Sequence, residues 1–257
     1  MSSDSTPDLQ VIKPSMSAGS ARIEAFFSLK NASLENETGR IPGLNLGFNT
    51  ADSEEVIEHN RELLYEQLNL DADWIARGGQ VHSTRVQVVT SGGLYPETDG
   101  LITRIPGLAL GIQVADCAAV LLADEKHGVI GAFHAGWRGA SGGIVDNAVA
   151  TMLEEGAEAE EISVYISPCI SEYHFEVGEE VAECFPAENV DRTSYEKPHV
   201  DLKGYLVEAL SSHGIKQEHI EVDPGCTYAE SDRFYSYRRE GEQSGRMFGF
   251  IKIKESG

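Results

Sequence analysis

Apolar residues are most densely grouped in the middle third of the chain. Residues 108–114 (LALGIQV), 117–123 (CAAVLLA) and 129–134 (VIGAFH) are short, nearly continuous apolar runs, the last two joined by the turn-forming Asp124-Glu125-Lys126-His127-Gly128. Runs of this length between turn signals predict buried strands. A helical spacing over 144–153, with Gly156 near its end, predicts a helix directly after the third run. Upstream, 22–28 reads as a strand, and 41–50 (IPGLNLGFNT) as a loop punctuated by Pro and Gly. Asp52 followed by Glu55 resembles a capping box, and Val56, Leu63, Leu64 and Leu68 carry a helical stripe to about Leu70. Residues 85–90 form a β-branched run ended by SGG. Downstream, the pattern predicts a strand at 162–166, helices at 178–184 and 201–212 with Gly214 as C′ residue, and a closing strand at 246–253. Strands alternate with helices yet also fall in hairpin-like pairs, which favours a mixed-sheet α/β or α+β fold over a purely parallel one. No repeat or linker divides the chain. The expectation is one domain over 21–257, after a polar and mobile lead-in at 1–20.

Composition agrees with a globular protein. Of 257 residues, 41% are hydrophobic and 24% charged, ordinary globular values. A chain of this length can bury a sufficient core without disulfide staples. No stretch approaches the ~18–20 uncharged apolar residues of a membrane span. The first residues have neither a basic start nor an apolar core of the secretory kind. The four cysteines, Cys117, Cys169, Cys184 and Cys226, form no CxxC. A reduced, cytoplasmic protein is expected. The charge changes the picture more. Lys and Arg number 20 against 42 Asp and Glu, a formal net charge of −22. Nucleic acid and anionic membrane are repelled as partners, because binding them depends on cationic neutralisation. A focused basic pocket for one small anion remains compatible with that charge.

Three segments carry candidate chemistry: GGQVHSTRV with His82, VADCAAVLLAD with Cys117, and GAFHAGWRGA with His134. Zinc favours thiolate sulfur and imidazole nitrogen, and a catalytic site keeps three protein ligands and one open position. Taken singly, each residue has an ordinary structural role: His82 on the surface, Cys117 as a small buried hydrophobe, His134 as a hydrogen-bonded core imidazole. GWRGASGG adds Gly136, Gly139, Gly142 and Gly143 between a predicted strand and a predicted helix. Glycines let a backbone approach a ligand, a helix start favours an anion, and Arg138 offers a planar fork. The pattern is neither GxGxxG nor a P-loop. Trp137 is either core packing or a platform for a flat ligand.

QVHSTRV, VADCAAVLLAD and above all HAGWRGA resemble the YfiH-type laccase-domain proteins, also called the multicopper polyphenol oxidase or purine nucleoside phosphorylase family. LNLGFNT, EEVIEHNRELL, ETDGLITR, SPCISEYHFEVGEEV and FYSYRREGEQSGRMFGFI extend the resemblance over nearly the whole chain. SPCI stands where the family often has GPCI, and TDG where ADG is commoner. The resemblance implies a layered α/β/β/α domain with mixed sheets and a Zn²⁺ site at His82, Cys117 and His134, copper being an alternative metal for such a donor set. It also implies phosphorolysis of adenosine, inosine and S-methyl-5′-thioadenosine with phosphate, and adenosine deamination. Copper-dependent phenol oxidation is an older family label.

On that basis roles can be assigned. Cys117, His82 and His134 form the catalytic metal group, and Asp116 beside Cys117 is the candidate proton carrier, since the deaminase pattern H-x-E with P-C-x-x-C is missing. Arg138 with the Gly-rich segment is the candidate phosphate cradle, and Arg238 and Arg239 are second candidates. Asn45 and Gln80 are candidates for contacts to base or sugar. Three rival readings use the same residues: a Cys–His amidase or deamidase, for instance in cell-wall precursor editing, with Cys117 as nucleophile; a polyphenol oxidase; and a non-enzymatic adaptor. The oxidase reading fits poorly, because eight His occur with no HxH or HCH cluster to hold several coppers.

Overall fold

The computed structural model describes residues 7–34 and 39–255. Along the chain these form β1 (Val11–Ile12), α1 (Ser15–Ala18), β2 (Ile23–Ser28), α2 (Glu54–Leu68), β3 (Ile75–Gly79), β4 (Val86–Val88), β5 (Gly93–Pro96), β6 (Gly100–Thr103), β7 (Ala109–Val114), β8 (Ala118–Asp124), β9 (Val129–Ala135), α3 (Trp137–Gly142), α4 (Ile144–Glu154), β10 (Ser163–Ile166), α5 (Glu179–Ala182), β11 (Val190–Asp191), β12 (His199–Val200), α6 (Leu202–Ser212), β13 (Ile220–Val222), α7 (Tyr237–Glu240) and β14 (Met247–Ile253). Two mixed six-stranded sheets result, with strand orders β1-β2-β14-β7-β3-β5 and β13-β10-β8-β9-β6-β4.

The apolar pattern explains the layering. β8 and β9 are buried at every position because both of their faces are covered. Ala119, Leu121, Ile130 and Ala132 pack against Ala25, Phe27, Leu110 and Ile112 of the first sheet. Val120, Leu122 and Phe133 face the other way, onto Ile144, Val145, Ala148 and Met152 of α4 and Leu206 and Leu210 of α6. On the far side of the first sheet, Phe26, Phe248 and Phe250 pack against Leu64 and Leu68 of α2. The order is therefore helix, sheet, sheet, helices, the α/β/β/α arrangement expected. The sheets approach closely at Gly249, where an added Cβ would lie 3.0 Å from that of Ala119.

Four local expectations differ from the structure. Asp52 does not cap α2: the N-cap is Ser53, and the Asp52 carboxylate accepts from the backbone N–H of Arg40 and Ile41 and from the Asn45 side chain. Burial beside the 41–50 loop makes those donors the nearer claim on it. GWRGASGG is not a loop. Residues 137–142 form α3, and the chain turns at Gly143 with φ of 98° before α4 begins. Strands β3, β5, β6 and β13 were absent from the sequence pattern; they are short, and β3 and β5 carry glycines. Finally, residues 7–20 lie against the sheets instead of trailing free, while 1–6 fall outside the described residues. Val11 and Ile12 pair with Ser28 and Phe27. The Ser15 N–H and hydroxyl both donate to Glu221, on the edge strand of the second sheet.

Candidate metal centre

His82, Cys117 and His134 converge, with their ligand atoms all within 4.8 Å of one another. Topology explains the convergence. β3 and β7 belong to the first sheet, and β4 and β8 to the second. Two of the chain's crossings between the sheets carry the site, the one after β3 through His82 and the one after β7 through Cys117. His134 on β9 pairs with Ala119 of β8, next to the second crossing. The site thus sits on the seam between the sheets. His134 is buried, Cys117 half-buried and His82 exposed, so one side is open to solvent.

Backbone strain gathers here. His82 has φ of 62° and Asp116 φ of 85°, both in the left-handed region that non-glycine residues rarely occupy. Such strain persists only where surrounding bonds fix it. Asp99 supplies those bonds at His82. It is fully buried, and its carboxylate accepts from the backbone N–H groups of Val81, His82 and Ser83, from the Ser83 hydroxyl, and from His134 Nδ1 at 2.9 Å. Burial alone would raise the Asp99 pKa, but bonds from His134 and Ser83 hold it down to about 2. One carboxylate therefore shapes the His82 turn and orients the His134 ring, leaving Nε2 toward Cys117. The sequence reading missed Asp99; TDG looks like a turn until β9 is placed beside it.

The electrostatics favour a thiolate. Burial works to raise the Cys117 pKa, yet the charge of His134 and hydrogen bonds from His134 and His82 bring it down to about 6. His134 moves the opposite way: burial opposes its charge, but Cys117 and Asp99 carry it up to about 9. Cys169, buried without such neighbours, is pushed up to about 12 and stays a thiol. Gly136 leaves the space the group needs, since a Cβ there would lie 2.8 Å from Cys117 Sγ and 3.1 Å from His82 Cδ2.

A metal ion fits this donor set. Soft sulfur and two imidazole nitrogens are zinc-type ligands, and around one tetrahedral zinc they stand about 3.3–3.6 Å apart. The three ligand atoms, all within 4.8 Å of one another, are near enough to share such a sphere. The histidine–carboxylate pair His134–Asp99 is the outer support that metal-binding histidines ordinarily have. Among the described residues, no other group of three such side chains converges in this way.

The remaining candidates are placed as follows. Asp116 borders the centre, but both its oxygens are engaged, by the Thr227 hydroxyl at 2.7 Å and the Arg238 N–H at 2.6 Å. Arg238 is exposed and donates its guanidinium to the Glu176 carbonyl. Arg239 is spent on the carbonyls of Thr227, Tyr228 and Phe234 and on Glu240. Gln80 exchanges two hydrogen bonds with the backbone of Gln113, extending the β3–β7 ladder. Asn45 is buried, donating to Thr50 and Asp52 and accepting from the N–H groups of Gly47 and Arg246. Arg138 is exposed and lies over Trp137, 4.5 Å from the ring centroid.

Residues 24–254 match the family described as multi-copper polyphenol oxidoreductase laccase. A purine nucleoside phosphorylase of Deinococcus radiodurans is 40% identical over 218 residues, covering 84% of each chain. Adenosine deaminase RL5, from an unknown prokaryotic organism, is 31% identical over 229 residues, 82% of this chain and 87% of that one. Among solved structures, the Bacillus licheniformis hypothetical protein YfiH superposes with a TM-score of 0.84 at 29% identity, covering 90% of this chain and 93% of its own.

Proposed function

Because the chain belongs to the multi-copper polyphenol oxidoreductase laccase family, with relatives named for purine nucleoside chemistry, we propose that it is a zinc-dependent purine nucleoside phosphorylase. Its substrates in this reading are adenosine, inosine and S-methyl-5′-thioadenosine, each with inorganic phosphate. The observation that carries the proposal is the convergence of His82, Cys117 and His134 at one half-open place on the sheet seam.

His82, Cys117 and His134 would hold the ion. When bound, zinc supplies Lewis-acid polarisation and brings the pKa of a bound water to about 7. The chain's own residues do the rest. Asp99 holds the proton of His134 Nδ1 and fixes the ring. The strained turn at Asp116 presents Cys117, and Asp116 itself anchors Thr227 and Arg238 at the rim. Exposed His82 is the ligand nearest solvent and the side from which a flat base can enter. In phosphorolysis the C1′–N9 bond breaks with its electron pair on the purine, the purine takes up a proton, and a phosphate oxygen bonds to C1′.

The test is phosphate-dependent release of adenine from adenosine, or of hypoxanthine from inosine, by zinc-loaded protein. No free base above background ends the proposal. The relative named adenosine deaminase supports a second activity at the same centre, read as ammonia and inosine formed without phosphate. An amidase acting through Cys117 predicts fast alkylation by iodoacetamide and indifference to chelators; the zinc reading predicts loss of turnover on chelation.

A further inference from the structure

A second cluster lies on the outer face of the first sheet and contains no metal-type ligands. Arg61 of α2 is 6% exposed. Its Nε donates to the Leu46 carbonyl at 2.8 Å, but its Nη1 is buried with no hydrogen-bond partner among the described residues. The guanidinium stacks 4.0 Å from the ring centroid of Phe48 and 5.1 Å from that of Phe248. Arg77 of β3 is half-buried, its guanidinium lies 6.0 Å from the same Phe48 ring, and its side chain makes no hydrogen bond or ion pair with the described residues. Burial, with Arg77 adding to it, holds Arg61 down to about 10.

This arrangement is costly as it stands. Like charges repel, and one hydrogen bond and two ring faces offset only part of the hydration the buried guanidinium gives up, Nη1 being left unsatisfied. The chain has 42 acidic side chains against 20 basic ones, yet no carboxylate of the described residues forms an ion pair with either arginine. An oxyanion with several acceptor oxygens would satisfy both planar forks together. Phe48, 38% exposed, marks where such an anion meets solvent.

Chain continuity leads from the cluster toward the metal centre. β3, which carries Arg77, runs on through Gln80 to His82. The loop carrying Phe48 packs through Gly47 against the Arg246 side chain. Burial holds the Arg246 pKa below its ordinary value, against the opposing charges of Tyr237, Cys117 and Asp116.

We propose that Arg61 and Arg77, beside Phe48, form the subsite for inorganic phosphate. The proposal rests on the phosphorolysis reading for the anion's purpose and on the geometry alone for its binding. It moves the phosphate away from Arg138, which is exposed and stacked on its own neighbour.

The test is calorimetric titration of inorganic phosphate into zinc-loaded protein without nucleoside, together with the phosphate KM. Arg77→Gln, at a half-buried position, is expected to weaken phosphate binding at least tenfold. It should raise the phosphate KM equally and leave the nucleoside KM at saturating phosphate unchanged. Arg61→Lys, which keeps the charge but loses the fork, is expected to act in the same direction. Phosphate binding that is undetectable in the wild type, or unaltered by Arg77→Gln, overturns the proposal. So does a loss that appears only in Arg138→Gln, or one confined to a nucleoside 5′-monophosphate titrated in parallel. If phosphate binds through these arginines but no base is released, the subsite stands and the phosphorolysis reading falls. If base is released with both arginine variants as efficient as wild type in phosphate, the reverse holds.

Discussion

Gly136→Ala separates the metal centre from the fold that carries it. Gly136 precedes α3 with φ of −82° and ψ of 170°, a conformation that alanine adopts freely. The backbone therefore does not object, and the unfolded chain even loses some entropy, worth about 0.4–1 kcal/mol in favour of the variant. The added methyl is the difficulty. It would stand 2.8 Å from Cys117 Sγ, roughly 0.6 Å inside ordinary contact, and 3.1 Å from His82 Cδ2. Metal–ligand distances tolerate only about 0.2 Å, so the sulfur and the imidazole cannot both retreat and still share an ion. Disturbances of this size around zinc sites cost about 10–100-fold in affinity. Overpacking costs about 1–3 kcal/mol of stability, partly offset by the entropic gain. The expected result is a folded protein whose Tm falls by a few degrees and whose zinc affinity, measured by competition with a chromophoric chelator, drops at least tenfold. Wild-type zinc affinity in Gly136→Ala would refute the reasoning, because it would mean that the ligands do not close around the place where the methyl points.

Asp99→Asn should weaken zinc binding by about 10–100-fold and slow turnover, since an amide cannot accept the same set of bonds that fix His82 and His134; elemental analysis after dialysis checks it. Zinc at a hundredfold excess over its Kd should stabilise the protein by about 2.7 kcal/mol, visible as a Tm shift that Cys117→Ser abolishes. Away from the centre, Asp124 is buried and accepts from the N–H groups of His127 and Glu158 and bonds the His127 ring. Burial opposes its charge, but these bonds win and lower its pKa below the ordinary carboxylate value. Its stabilisation is therefore fully present above the unfolded pKa of about 3.9 and lost as pH falls through the lower folded value. The urea midpoint of the wild type should exceed that of Asp124→Asn at pH 6, with the gap closing toward pH 3; a gap constant with pH contradicts the assignment.

How much of this was legible in the sequence depended on how far each feature was local. β8 and β9 were readable because a strand covered on both faces needs an apolar residue at nearly every position. β3, IARGG, was not: its burial comes from neighbours that are distant in sequence. The candidate metal ligands were recognisable through their motifs, but nothing local says that His82 and His134 meet. That follows from the crossing after β3, which carries His82 from one sheet to the other, and from the pairing of β9 with β8. Asp99 was hidden for the same reason, its five hydrogen bonds coming from two separate segments. Asn45 and Gln80 looked like free polar side chains in loops, whereas the fold uses their amides to close backbone. The glycines of GWRGASGG read as a Gly-rich connection between strand and helix. In the fold they permit tight approach instead: a Cβ on Gly139 would lie 3.1 Å from the Ser83 carbonyl.

The short N-terminal pairing has an implication for handling the protein. Four of the six residues of β2 are apolar, and β1 covers one end of its outer side with two residues. Beyond them, Ser15 reaches across to Glu221 on the other sheet. A chain cut back to Arg22 would also unpair Phe27 and Ser28, making the whole of IEAFFS a sheet margin on which a second molecule can add its own strand. Self-association of the shortened chain, read by light scattering, is the expected consequence.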